Sequence, residues 1–119
     1  MTAHAEWKSY NYTDTYEAYI DYSRIRTEGQ YKSTWDLIDY KSPQTDASGK
    51  QFKSAALKNI IDCQASRRQL VAIYQYSEQM GKGKVVSSGN SSQIIESDWK
   101  YPPPNSIGDN LIQIACGRK

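Results

Sequence analysis

Residues 54 to 86, SAALKNIIDCQASRRQLVAIYQYSEQMGKGKVV, leave little choice of secondary structure. Ala55, Leu57, Ile61 and Cys63 fall on one side at a spacing of two. Leu70, Ala72, Tyr74 and Tyr76 repeat the pattern after a short basic turn, QASRR at 64–68. A second turn, EQMGKGK at 78–84, leads into a further run at Val85 and Val86. Period-two alternation bounded by turn residues marks half-buried antiparallel strands.

The chain before this stretch reads the same way. Residues 7–16, WKSYNYTDTY, alternate loosely as one weak strand or ordered arm, after a frayed end at 1–5. EAYIDYSRI at 17–25 and YKSTWDLIDY at 31–40 are clearer strands, and the Glu28-Gly29 turn between them makes a hairpin. Residues 41–53, with Pro43, Asp46, Ser48 and Gly49, have the composition of a loop, as does SSGNSS at 87–92.

The end of the chain differs. Consecutive prolines in WKYPPP, 99–104, forbid a helix and favour an extended segment. Ser106 with Asp109 three residues on is a capping-box pattern. Ile107, Leu111, Ile114 and Ala115 then form one helical stripe. Cys116 lies off that stripe, so a helix that brings it to Cys63 must loosen or end near Ala115, with Gly117 as terminator. The prediction is an α+β fold in one domain, 1–119: a meander-like antiparallel sheet of five or six strands with a C-terminal helix packed on one face.

Composition narrows the function. Ten Tyr and three Trp against one Phe suit strands with a wet face. A net charge of +2 is too small and too dispersed for a dedicated nucleic-acid binder. No apolar run approaches the roughly 18 residues of a spanning helix, so no membrane insertion is expected. MTAHAEW lacks the regions of a signal peptide, which fits either a cytosolic chain or a mature domain whose signal was removed. Two lone cysteines roughly 50 residues apart have neither metal-ligand nor CxxC spacing, leaving buried thiols or a disulfide. The disulfide would imply an oxidising compartment.

No catalytic constellation is visible, and no cofactor or metal is expected. His4 stands alone near the N-terminus, so a serine or cysteine nucleophile has no base. Asp21, Asp36, Asp39 and Asp62 lie in or beside strands, where outward polar positions account for them. Candidate binding residues are Tyr10 and Tyr12, in the tyrosine-rich N-terminal run, and Arg67, Arg68, Lys82 and Lys84. The basic four belong to turns at opposite ends of one strand, where solvated charges explain them as well as a partner does. Trp99 either holds a partner or pins the proline segment to the sheet.

The order Trp7, YIDYSRI at 19–25, Gly29, TWDLIDY at 34–40, IIDC at 60–63, YQYS at 74–77, Gly81 to Val86, Trp99, PPNS at 103–106 and Cys116 resembles the bacterial surface-adhesin protein E family over nearly the whole chain. The resemblance implies an exported protein of Gram-negative bacteria, in the periplasm or at the outer-membrane surface, with an antiparallel sheet, a C-terminal helix and a Cys63–Cys116 disulfide. It also implies an adhesin-like domain, not an enzyme, that binds host extracellular matrix or serum proteins. The partner is then an extracellular or periplasmic protein, with a homodimer through an edge strand as a further expectation. The alternatives are a periplasmic inhibitor of a hydrolase such as lysozyme, plugging an active site with the 87–92 loop, and an exported protein of structural role.

Overall fold

A computed structural model describes residues 5–91 and 93–118; residues 1–4, with His4 and most of the segment expected to fray, lie outside them. Among the described residues there are seven strands and one α-helix: β1 (Trp7–Tyr12), β2 (Tyr16–Asp21), β3 (Arg26–Glu28), β4 (Tyr31–Thr45), β5 (Gln51–Asp62), β6 (Arg67–Tyr76), β7 (Val85–Asn90) and α1 (Ile107–Ala115). They form one antiparallel sheet in the order β1-β2-β4-β5-β6-β7, with β3 also paired to β4. This is the expected meander with its C-terminal helix.

The expected boundaries shift where polar side chains take over backbone bonding. The weak strand at 7–16 is two strands. Thr13 Oγ1 accepts from the Thr15 and Tyr16 amides, both at 3.2 Å, and turns the chain. The strand at 17–25 stops at Asp21, whose carboxylate accepts from the Ser23 amide at 3.0 Å and starts a 3-10 turn at Tyr22–Arg24. Only 46–50 of the 41–53 loop is a turn: Asp46 Oδ1 accepts from the Ser48 and Lys50 amides, both at 2.9 Å. The rest extends β4 and β5, with Pro43 at the register shift between Asp39 and Gln44. A bulge can hold a residue that donates no ladder bond. Ser87–Asn90 is not loop but edge strand, paired from Gln75↔Ser87 to Ala72↔Asn90; Ser92 lies outside the described residues. Small polar residues disguise a strand whose pairing is carried by backbone alone.

Helix α1 begins as read. Ser106 Oγ accepts from the Asp109 amide at 3.2 Å, and Asp109 reaches back to the Asn105 amide at 2.9 Å. It ends at Ala115, with Cys116 as the cap and Gly117 at φ +70°. Its buried side is Gly108, Leu111, Ile112 and Ala115, rotated from the expected stripe because Gly108 lies over Arg68 and Pro102. Leu111, Ile112 and Ala115 pack on Ile20 and Ile61, with Cys63 and Cys116 at the margin of that core. The two cysteines form a disulfide with Cα atoms 5.8 Å apart, tying the end of β5 to the end of the helix. Among the described residues no helix is long and apolar enough to cross a membrane.

Candidate functional site

One helix of nine residues covers one face of the sheet, while the 78–84 turn and the segment around Trp99 lie over parts of the other. Alternation then decides what each face holds. Asp36 and Ile38 of β4, and Leu57 and Asn59 of β5, point toward α1, while Trp35, Leu37 and Ala56 point away. On β6 the register slips at Val71, so Leu70 pairs with Asn59 but Ala72 pairs with Lys58. Leu70 and Ala72 are therefore not on one face as the sequence pattern suggests. The slip puts Tyr74 and Tyr76 beside Trp35 on the helix-free face.

That face is concave. Trp7, Trp35, Tyr74, Tyr76 and Val85 wall an open cleft of about 610 Å³ over Leu37 and Ala56, with Arg24 and Gly81 at its rim. The Trp35 and Tyr74 rings lie 6.0 Å apart at 32°. The 78–84 turn folds back over one end: the Met80 amide donates to Asp39 at 2.8 Å and the Gly81 amide to Ser54 Oγ at 2.8 Å. This turn brings Gly81 onto Leu37, which is completely buried. Ligand sites are commonly clefts of ~300–1,000 Å³ lined by apolar and aromatic side chains with few polar groups.

The covered face hides a polar group instead. Asp36 is 3 % exposed, not outward as its strand position suggested. Asn59 Nδ2 donates to it at 3.0 Å, and Arg68 Nη1 donates to Asn59 Oδ1 at 3.1 Å. Burial pushes the Asp36 carboxyl up to about 7, against the opposing pull of the Asn59 hydrogen bond and the Arg68 charge. Tyr10 lines the same small cavity, and burial, then the Asp36 charge, raises its hydroxyl well above the usual phenol range. Asp21 is likewise buried, paired with Arg24 at 3.3 Å.

A family model described as surface-adhesin protein E matches residues 7–117. The chain belongs to the surface-adhesin protein E family. As its description says, this is a family of surface adhesins. Solved structures of Haemophilus influenzae protein E share the fold. Its crystal form II superposes with a TM-score of 0.64 at 16 % identity, over 90 % of this chain and 91 % of that one. Protein E from non-typeable Haemophilus influenzae gives 0.60 at 15 % identity, over 96 % and 86 %. No curated protein matches the chain.

Within this adhesin-family fold the sequence-picked residues disperse. Tyr12 is 75 % exposed near one sheet edge, while Tyr10 is enclosed beneath the helix. Arg67 and Arg68 are strand residues, not solvated turn charges. Arg67 lies 4.3 Å over the Trp99 ring and holds Asp62 at 2.8 Å, a hydrogen bond that raises its guanidinium further above its ordinary value. Trp99 also packs 5.5 Å from Tyr31, and Lys100 bridges the backbone of Arg68, so this tryptophan pins the proline segment to the sheet. Lys82 and Lys84 are exposed in the folded-back turn, flanking the cleft residues Gly81 and Val85. The cleft aromatics themselves were visible as alternating residues, but nothing in the sequence said which face α1 would cover. Among the described residues no group of three His, Cys, Asp or Glu side chains is placed to hold a metal ion.

Proposed function

We propose that this chain acts outside the cytoplasm as an adhesive binding domain that takes host matrix or serum proteins on the helix-free face of its sheet. The observation that carries this reading is the aromatic cleft. A chain that buries Leu111 and Trp99 elsewhere leaves two tryptophans and two tyrosines walling an open concavity. Aromatic side chains in such clefts dominate protein interfaces, because they offer large rigid area at low entropic cost. The Cys63–Cys116 disulfide supports an oxidising compartment and hence export. The unpaired edge of β7 is where a second copy would add by strand pairing. The inhibitor reading loses its plug, since Ser87–Asn90 is held in the sheet.

Surface plasmon resonance of the immobilised protein against purified matrix and serum proteins, with lysozyme alongside, tests the reading. Saturable binding to at least one matrix or serum protein, at about micromolar Kd or tighter, is the expected result. Saturation by lysozyme alone would instead establish the inhibitor, and no saturation by any of them would remove the adhesive function.

A further inference from the structure

The chemistry of the cleft is lopsided. Among the described residues, the indole N–H groups of Trp7 and Trp35 and the hydroxyls of Tyr74 and Tyr76 make no hydrogen bond within the chain. These are four donor groups, and indoles only donate. Among the described residues no carboxylate or amide side chain lines the cleft, and the single charged one, Arg24, is already paired with Asp21. A ligand suited to it offers acceptors, needs few acceptors in return, and has flat apolar surface to lay against rings.

We propose that the cleft binds an extended proline-rich segment of a partner protein, with acidic residues beyond its Lys82–Lys84 end. The proposal rests on the cleft being the binding face. A polyproline helix has no internal hydrogen bonds, so its carbonyls are free to accept, and proline has no N–H that would demand an acceptor. Its rings fit slots between aromatic side chains, and because the conformation exists before binding, little order is lost. The 32° inclination of Trp35 to Tyr74 makes one wall of such a slot, where edge-on packing would close it. A sugar matches less well. It brings as many hydroxyl hydrogens as acceptors, and among the described residues the lining side chains offer only the Tyr74 and Tyr76 hydroxyls to receive them. The charge at one end completes the match. Lys82 and Lys84 are exposed, make no ion pair among the described residues, and flank Gly81 and Val85 of the cleft. Oppositely charged residues on the partner fix its direction and quicken encounter.

The test is fluorescence polarisation of a labelled octaproline peptide ending in two aspartates. The controls are a glycine–serine peptide of equal length with the same two aspartates, and a chito-oligosaccharide competitor. Saturable binding of the proline peptide alone is expected, uncompeted by the sugar. Trp7→Ala, on the sheet's edge strand, should weaken it by about tenfold. Tyr74→Phe, which keeps the ring and deletes one donor, should weaken it by about fivefold. The double variant Lys82→Gln/Lys84→Gln, at exposed positions that do not disturb the fold, should weaken it by about threefold at low salt and less at high salt. Equal affinity for the glycine–serine peptide, displacement by the sugar, or variants that bind as the wild type does would each overturn the proposal. If the peptide fails while a matrix protein still binds through the cleft, the proline-rich ligand is wrong and the binding face stands.

Discussion

Replacing Cys63 and Cys116 together by serine lowers the stability of the fold by about 4 kcal/mol, the chain-entropy value for a closed loop of this size. The loop is set by a separation of 53 residues. The loss falls unevenly across the molecule. A helix of nine residues is too short to persist alone in water, so α1 exists through its buried side and its tether. Without the tether, Leu111 and Ile112 must hold it to Ile20 and Ile61 unaided. Urea titration should therefore give a lower midpoint, and hydrogen exchange should show the amides of α1 losing protection ahead of those of β4 and β5. A change under about 1 kcal/mol would mean that the helix docks by packing alone.

Asp36 gives the second large effect, and its sign follows from the direction of the shift. The folded carboxyl titrates at about 7. In the unfolded chain it returns to ~3.9, so between these values the folded state binds the extra proton. Stability from this site is therefore complete below about pH 4 and declines as pH rises to about 7, above which both states are ionised. The groups facing the carboxyl are Asn59 on β5, Arg68 on β6 and Tyr10 on β1. Asp36→Asn keeps the size and the acceptor that Asn59 uses while removing the buried charge. Relative to the wild type, the variant should differ little at pH 4 and be more stable at pH 8, by as much as about 4 kcal/mol. Denaturant midpoints of both proteins across pH 4 to 8 provide the check. A gap that stays constant with pH would show that Asp36 is ionised in the fold throughout.

The two effects lie on opposite sides of what a sequence can say. The helix cap, the helix end near Ala115, and the strands around Trp35 and Ile61 were legible, because capping and alternation are local. Trp99 as the pin of the proline segment was readable as one of two options, and its contacts with Tyr31 and Arg67 select it. The β7 strand was not legible, since Ser87 and Ser88 pair through backbone atoms that every residue has. Neither was the fate of Asp36. A carboxylate in an alternating strand points either at water or at whatever covers the sheet, and only the position of α1 separates the two. The same uncertainty hid the cleft. Trp7, Trp35, Tyr74 and Tyr76 come from three strands, and the bulge at Val71 that aligns the last two with Trp35 leaves no mark in the residue pattern. Arg67 and Arg68 were misplaced for a simpler reason. Adjacent arginines look like a solvated turn, but one finds Asp62 and Trp99, and the other finds Asn59 under the helix.

If the helix-free face is where this adhesin-family protein binds, changing its cleft must weaken binding to matrix. The most direct test is saturable binding of the fluorescent protein to matrix laid down by cultured epithelial cells. Three proteins are compared: the wild type, the cleft variant Tyr74→Ser/Tyr76→Ser, and Tyr12→Ser, which changes an exposed tyrosine outside the cleft. The cleft variant, folded by its circular dichroism, should bind at least about tenfold more weakly while Tyr12→Ser binds as the wild type does. A cleft variant that binds normally, or a loss confined to Tyr12→Ser, would contradict binding on that face.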